Sequence, residues 1–248
     1  MAVGESVVRK EAVDKVTGVA KCSADFVAPG ILRARIVASS QAHARPLAVD
    51  ADAARAMADV RAIVTGADAD ILCGGVLADR PPLARGRVRY HGEPVAVVVA
   101  DSEAEAAAAA MCVRVRYERL AVVNSPTEAM AEGAPLVHED LASYTITQPP
   151  CAPEAGTNVA DRAKVRKGDM AVGEAAAAVW VESQATAPQT DHAAMETRSA
   201  QVEILPDNRV FVSASTQAPF EVQRILAHLL GPEEGQVVVE VPFVGGAL

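Results

Sequence analysis

The first half of the 248-residue chain alternates apolar β-branched runs with alanine-rich segments. A continuous apolar run at 94–100, PVAVVVA, predicts a strand that is buried on both faces. Ser102 follows this run and Glu105 lies three residues later, which is the capping-box pattern that opens a helix. The neighbouring predicted elements are the strands LRARIVAS, VRAIVTG and CVRVRYE and the helices DADAARAMAD and EAEAAAAAM. This order predicts an α/β domain.

The second half begins after a stretch with three prolines and no sustained periodicity. We therefore predict a first domain at 1–142, a linker at 143–167 and a second domain at 168–248. The second domain should contain the strands VWVESQATA, SAQVEIL, RVFVSAS and QVVVEV and the helix PFEVQRILAHLLG, with a hairpin turn at PDN.

Composition narrows the classes of function. Half of the residues are hydrophobic, which is enough to fill the core of a globular protein. A net charge of −9 with scattered Lys and Arg, together with 3% aromatic residues, argues against a nucleic-acid partner. Every apolar stretch is far shorter than the roughly 20 residues that cross a bilayer, so we expect no membrane span. The four cysteines are dispersed, which favours reduced thiols in a cytoplasmic protein.

Few residues form a recognisable catalytic or metal-binding pattern. The chain has no GxSxG elbow, no phosphate-binding loop with Lys-Ser or Lys-Thr, and no complete GxGxxG motif. In TDHAAMETR, His192 and Glu196 are four residues apart and would share one face of a helix, as metal ligands or an acid–base pair would. Two ligands do not make a metal site, so we predict no metal ligand and favour a structural hydrogen-bonding role.

Two segments are candidates for ligand contacts. Thr216 and Gln217 follow a predicted strand and precede a helix that opens at Pro219, where free backbone N–H groups collect polar ligands. The Gln217 amide could contact a ligand or cap the helix, and local reasoning weighs the two evenly. Gly245 and Gly246 follow the last predicted strand and indicate that the backbone comes close to another group.

Several motifs in order resemble the molybdenum-binding polypeptide of the molybdenum hydroxylases, the xanthine dehydrogenase and aldehyde oxidase family. RKEAVDKVTGVAKCSADF is similar to the opening segment of that family, with Cys22 where tyrosine is usual. TDHAAMETRSA resembles its Gln-Glu-His-x-x-Met/Leu-Glu segment, with Thr190 and Asp191 replacing Gln-Glu. VRYHGEPVAVVVAD, SASTQAPF and VGGAL are similar to its Gly-Glu-Pro-Val-Ala, Ser-Thr-Gln and Gly-Gly-Gly/Ala-Phe-Gly segments. The pattern is most similar to bacterial xanthine or purine dehydrogenases.

This resemblance implies a hammerhead-type α/β domain followed by the incomplete start of a molybdopterin-binding α+β domain. It also implies hydroxylation of an electron-poor carbon of a purine-like substrate, with water as oxygen source. Electrons would pass to an iron–sulfur subunit and a FAD subunit. By the same resemblance, Gln217 would be a catalytic residue that hydrogen-bonds the apical oxo ligand of molybdenum. Gly245, Gly246 and Ala247 would present backbone N–H groups to the molybdopterin cofactor.

The sequence departs from the family pattern at its last residue, because Leu248 stands at the usual phenylalanine of the glycine loop. Later family segments, including the glutamate that acts as general base, are not among these residues. We therefore expect activity only together with a polypeptide that supplies the remaining part of the molybdenum subunit. Two alternatives stay open: a noncatalytic assembly module that docks the iron–sulfur and flavin subunits, or the same chemistry on nicotinate, another N-heteroaromatic or an aldehyde.

Overall fold

A computed structural model describes residues 3–188 and 190–246 of the chain. Within these ranges it has eight strands: β1 (Arg33–Ala38), β2 (Ala44–Asp50), β3 (Val60–Thr65), β4 (Pro94–Ala100), β5 (Arg114–Arg119), β6 (Ala200–Ile204), β7 (Val210–Ala214) and β8 (Val237–Glu240). The same ranges contain six α-helices: α1 (Ala12–Thr17), α2 (Asp52–Arg55), α3 (Glu103–Cys112), α4 (Pro126–Ala129), α5 (Met170–Ala176) and α6 (Pro219–Leu230). Among the described helices, none has the length and apolar content needed to cross a bilayer.

The chain divides into two compact units. The first unit holds Val27–Arg162 and His228–Leu230, and the second holds the described residues among 1–26, 163–227 and 231–248. The structure thus groups the first 26 residues with the second unit, whereas the sequence-based division at 1–142, 143–167 and 168–248 put them in the first domain. The reason is a set of long-range hydrogen bonds. Ser23 Oγ donates to the Ser213 carbonyl and Gln201 Nε2 donates to the Ser23 carbonyl, each at 3.0 Å.

The first unit is built around β4, which lies between β1 and β3 and is antiparallel to both. Its PVAVVVA sequence forms the predicted buried strand. Val98 on this strand is fully buried and belongs to a core of small apolar side chains, Ala51, Ala54, Ala109 and Val113. Alanines allow α2 and α3 to approach the sheet closely, so their abundance in the sequence reflects helix packing.

Helix α3 begins where the capping-box pattern predicts. Ser102 Oγ accepts a hydrogen bond from the Glu105 N–H at 3.3 Å and donates one to the Glu105 carboxylate at 2.7 Å. This arrangement satisfies a backbone donor that has no partner inside the helix. After α3 the chain enters β5, which alternates half-buried and exposed side chains.

Strand β2 is an element that sequence reasoning missed. It pairs with β5 antiparallel, with Ala44 opposite Arg119 and Asp50 opposite Arg114. The register shifts between Pro46 and Ala48. Proline cannot donate a hydrogen bond to a neighbouring strand and is tolerated only at sheet edges or bulges. Because Pro46 lies within this segment, the sequence pattern did not predict a strand.

The second unit contains the sheet β6-β7-β8. Strands β6 and β7 form the predicted hairpin, and Asn208 in its turn has a left-handed φ of 63°. Strand β8 pairs with β7 in parallel. Helix α6 runs as predicted and ends at Gly231, whose φ of 84° closes the helix. Its apolar side chains contribute to a core with β7 and β8 that includes Leu226, Ala227, Val210, Val212 and Val237.

The strand predicted from VWVESQATA was wrong. The structure gives the described residues of 179–188 no strand or helix, and Val179, Trp180 and Val181 are 79%, 64% and 81% exposed. Alternation of apolar residues describes a strand only where a neighbouring strand completes the backbone ladder. No pairing to this segment occurs in the described part of the chain.

Candidate functional site

Three segments meet at one edge of the β6-β7-β8 sheet. Strands β7 and β8 are parallel and Ser213 pairs with Glu240, so the segments after both strands leave from the same edge. Strand β6 is antiparallel to β7 with Ala200 opposite Ala214, so the segment before β6 enters at that edge too. Residues 191–199, 215–218 and 241–246 are therefore neighbours in the fold, although up to about 50 positions separate them in sequence. Such an edge, where parallel strands end, is a common place for ligand binding.

Gly245 and Gly246 are required where they stand because the backbone passes very close to the segment 194–196. A Cβ on Gly245 would lie 2.7 Å from the Cβ of Glu196, and one on Gly246 would lie 2.5 Å from the Cβ of Ala194. Both distances are far below carbon–carbon contact, which is about 3.5–4.0 Å. The close approach that the glycines indicated is thus made, in this structure, to another segment of the same sheet edge.

The Glu196 carboxylate fixes this approach. Its Oε2 atom accepts a hydrogen bond from the Gly245 backbone N–H at 2.6 Å. Its Oε1 atom is buried and has no N–H or O–H partner among the described residues, and the Cys22 thiol is the side chain that interacts with this carboxylate. A carboxylate that accepts from a backbone N–H makes a stronger bond than a neutral acceptor does. Glu196 is therefore anchored at one oxygen by a backbone N–H, while its other oxygen is buried and lacks a strong donor.

The Cys22 thiol interacts with the anchored carboxylate and with nearby charged groups. Burial raises the pKa of the Cys22 thiol, and the negative charges of Glu196 and Asp25 raise that pKa further. The Lys15 ammonium lies 6.0 Å from the centre of the Phe243 ring, on the segment that leads to the glycines. It lowers the pKa of Cys22 by a smaller amount. The thiol is thus held protonated and neutral beside the acidic group.

His192 and Glu196 do not share the face of a helix, which is the arrangement that a metal-ligand or acid–base pair at this spacing would need. Residues 190–199 form no helix in the structure. Asp191 Oδ1 instead accepts from the Ala193 N–H at 2.8 Å, and Ala193 takes a left-handed φ of 47°. This backbone hydrogen bond lowers the pKa of Asp191. The polar Asp191 side chain therefore selects a turn over a helix in this segment, and His192 is exposed with Nδ1 3.8 Å from Asp191 Oδ1.

Gln217 lies at the same sheet edge, on an exposed loop between β7 and α6. Ser215 before it is tied to Ser199 by three hydrogen bonds: its backbone N–H and its Oγ both donate to the Ser199 carbonyl, and its Oγ accepts from the Ser199 N–H. Thr216 Oγ1 accepts from the Ala218 N–H at 3.1 Å. The N-cap of α6 is Ala218, and no side chain caps that helix end. These hydrogen bonds hold the backbone on both sides of Gln217 beside a helix N-terminus that has no side-chain cap.

The donor set suits an anionic, multiply hydrogen-bonding cofactor better than a metal ion held by protein side chains. Within the described ranges, no group of three or more His, Cys, Asp or Glu residues is arranged to hold a metal. The edge offers instead a side-chain amide at Gln217, the N-terminus of a 12-residue helix, and glycines that let a backbone approach closely. Ala247, which sequence comparison placed among the cofactor contacts, lies outside the described residues.

Two family models match this chain. The α/β hammerhead domain of aldehyde oxidase and xanthine dehydrogenase matches residues 17–121, and a molybdopterin cofactor-binding domain matches residues 151–248. A hammerhead domain followed by a cofactor-binding domain defines a molybdopterin-binding protein. The chain belongs to the aldehyde oxidase and xanthine dehydrogenase family, as the motifs at the sheet edge indicated.

Relatives of this chain include enzymes named for different substrates. The xanthine dehydrogenase molybdenum-binding subunit of Escherichia coli is 30% identical over 96% of this chain and 31% of its own length. The nicotine 6-hydroxylase large subunit of Paenarthrobacter nicotinovorans is 31% identical over 98% of this chain and 29% of its own. The crystal structure of quinoline 2-oxidoreductase from Pseudomonas putida 86 superposes with a TM-score of 0.84, at 31% identity over 98% of this chain and 30% of that one. The chain thus spans about three tenths of the length of these relatives.

Sequence reasoning proposed the glycines and Gln217 as cofactor contacts but did not predict the partner of the glycines. The contact between Glu196 and Gly245 joins positions 49 residues apart. The one available signal was that the segment holding Glu196 and the segment holding the glycines both matched family motifs. Cys22 was noted as a departure from the usual tyrosine, and the structure adds that it lies in the electrostatic field of Glu196.

Proposed function

We propose that this chain is part of the molybdenum-binding subunit of a hydroxylase that acts on xanthine or another purine. The observation that supports this most directly is the sheet edge, where the Ser-Thr-Gln loop, the Glu196 segment and the glycine loop converge. All three belong to motifs shared with the family, and the molybdopterin-binding family model covers all of them. A fold alone would not indicate an activity, but a set of matched motifs meeting at one edge does.

In this proposal Gln217 and the glycine loop hold the molybdopterin cofactor. The Gln217 amide can donate to an oxo group while the N-terminus of α6 favours negative charge nearby. Gly246 admits the cofactor-facing backbone without a Cβ, and Ala247 is proposed to continue that contact. When bound, the cofactor supplies two-electron oxidation of an electron-poor carbon, with water as oxygen source. Fixed donors such as these stabilise developing charge without reorganising during the reaction.

The partners in this proposal are an iron–sulfur subunit and a FAD subunit, together with the remaining part of the molybdenum subunit. The electrons taken from substrate must leave the molybdenum site, and the described residues contain no group of three or more His, Cys, Asp or Glu that could hold a metal for onward transfer. Cysteines 22, 73, 112 and 151 are all free thiols in the structure, which supports the proposed cytoplasmic location.

A second candidate substrate class is another nitrogen heteroaromatic. Relatives with similar identity are named for nicotine and quinoline, both of which carry an electron-poor carbon beside a ring nitrogen. Nicotinate belongs to the same chemical class, and an aldehyde shares the electron-poor carbon. The reaction at the proposed site would be unchanged, so the substrate must be assigned by assay.

The test is to purify the chain with the subunits that accompany it, and to measure its molybdenum and molybdopterin content. Dye reduction should then be compared with xanthine, nicotinate, quinoline and benzaldehyde as substrates. Gln217→Ala should lower the turnover number about 100-fold, as expected for removal of one preorganised donor. A complex that contains no molybdopterin would refute the proposal and favour a noncatalytic docking module. Turnover of quinoline or nicotinate but not xanthine would assign the second substrate class.

A further inference from the structure

We infer that Glu196 is a positioning residue, which sets the Gly245–Gly246 loop through the Gly245 backbone N–H. The inference rests on the proposed function, because it gives Glu196 a part in shaping the proposed cofactor site. It goes beyond that function in assigning a role to a side chain that is not expected to touch the cofactor. A hydrogen bond across the sheet edge would thereby decide the position of the cofactor loop.

The geometry restricts the loop from two directions. The hydrogen bond from Gly245 N–H to Glu196 Oε2 holds the loop at 2.6 Å. The absence of a Cβ on each glycine lets the backbone approach, since added Cβ atoms would be 2.7 Å and 2.5 Å from neighbouring side chains. The hydrogen bond to the Glu196 carboxylate holds the glycine loop close, and contact with the segment 194–196 prevents the loop from coming closer. Together they leave little freedom in its position.

The state of the second oxygen argues that Glu196 is not placed there for stability alone. Oε1 is buried and has no N–H or O–H partner among the described residues, and the Cys22 thiol is the side chain that interacts with this carboxylate. A thiol is a weak donor, so it compensates a buried carboxylate oxygen less well than an N–H or O–H donor would. Asp25 and Lys15 act on the Cys22 thiol rather than forming an ion pair with Glu196 in the described ranges.

The test measures the loop itself and uses three substitutions in the assembled complex. Glu196→Ala removes the acceptor, Glu196→Gln keeps one carbonyl oxygen for the Gly245 N–H, and Glu196→Asp withdraws the carboxylate by one methylene. Glu203→Gln is the control, because Glu203 is an exposed residue of β6 and its replacement removes a carboxylate of the same unit away from the loop. Hydrogen exchange at Gly245 is followed by mass spectrometry with residue-level fragmentation, and molybdopterin content is measured on the same samples.

We expect the Gly245 amide in Glu196→Ala to exchange roughly 10- to 100-fold faster than in the unsubstituted chain, as loss of a hydrogen bond to a charged acceptor predicts. Glu196→Gln should recover most of the protection, to within about fivefold, because a neutral acceptor makes a weaker bond of the same geometry. Molybdopterin content should follow the same order of variants. Glu203→Gln should match the unsubstituted chain in both measurements.

The outcomes separate this inference from the proposed function. Unchanged exchange at Gly245 in Glu196→Ala would refute the inference even if molybdopterin is bound normally. A complex without molybdopterin would refute the proposed function, while the exchange data would still decide the role of Glu196. Equal loss of protection in Glu196→Gln and Glu196→Ala would also overturn the inference, since the shared acceptor geometry would then not matter. If Glu196→Ala does not fold, the comparison of Glu196→Gln with Glu196→Asp supplies the same decision.

Discussion

Replacing Gly246 by alanine tests the central geometric claim about the glycine loop. The added Cβ would lie 2.5 Å from the Ala194 Cβ and 3.3 Å from the Ala194 Cα. Because carbon atoms in contact are about 3.5–4.0 Å apart, one of the two backbones must move by about 1 Å. Overpacking of this kind costs about 1–3 kcal/mol of unfolding free energy. A shift of about 1 Å in a group that positions a reacting centre lowers the rate on the order of 100-fold.

The matched experiment is a double-mutant cycle with Ala194→Gly, which removes the other Cβ of the clash. Thermal unfolding of the chain and turnover of the complex should be measured for each single variant and for the pair. We expect Gly246→Ala alone to lose both stability and turnover, and the pair to recover much of the loss. Recovery will be incomplete because the Ala194 Cα remains 3.3 Å from the new Cβ. If Gly246→Ala is harmless, or if Ala194→Gly gives no rescue, the loop is not where the structure puts it.

Three further changes test other parts of the chain. Val98→Ala, at a fully buried position of β4, should lower the unfolding free energy by about 2 kcal/mol, measured by urea unfolding, because two methyl groups and their packing are lost. Ser102→Ala should lower it by about 1 kcal/mol through loss of the helix cap of α3. Burial raises the pKa of Glu93, so its carboxyl group binds a proton more tightly in the folded protein than in the unfolded chain. The protonated carboxyl group therefore contributes its full stabilisation below pH 4.5. That contribution declines as the pH rises through the pKa of the folded protein. Glu93→Gln should accordingly be more stable than the unsubstituted chain at pH 7, and urea midpoints at pH 7 and pH 4 should show the difference shrinking at pH 4.

Local sequence patterns predicted most of the elements that have a clear signal in their own residues. The buried run PVAVVVA became the central strand β4, the Ser102 capping box opened α3, and the PDN turn joined β6 to β7. The misses have one cause, since a strand also depends on a partner far away in sequence. Strand β2 was missed because Pro46 interrupts its sequence pattern, although β2 pairs with β5. The segment VWVESQATA has alternating apolar residues but no neighbouring strand to pair with in the described part of the chain.

The candidate site was predictable as a set of motifs but not as a set of contacts. Gln217 and the glycine pair could be identified because strand ends and glycines have local sequence signatures. The hydrogen bond between Glu196 and Gly245 has no such signature, since it depends on the parallel pairing of β8 with β7 and the antiparallel pairing of β6. The turn at His192 has a local cause that the spacing of His192 and Glu196 does not reveal, namely the hydrogen bond from the Ala193 N–H to the Asp191 side chain.

The structure also gives Gly245 and Gly246 different roles. The Gly245 N–H is donated to Glu196, so in this conformation it is not available as a donor to a cofactor. Gly245 therefore acts as the anchor of the loop, and donors toward the proposed cofactor must come from positions after it, from Gln217 and from the start of α6. The two glycines are needed for different reasons. Glycine at position 245 allows the backbone to reach the Glu196 carboxylate, and glycine at position 246 lets the chain continue past Ala194 without a clash.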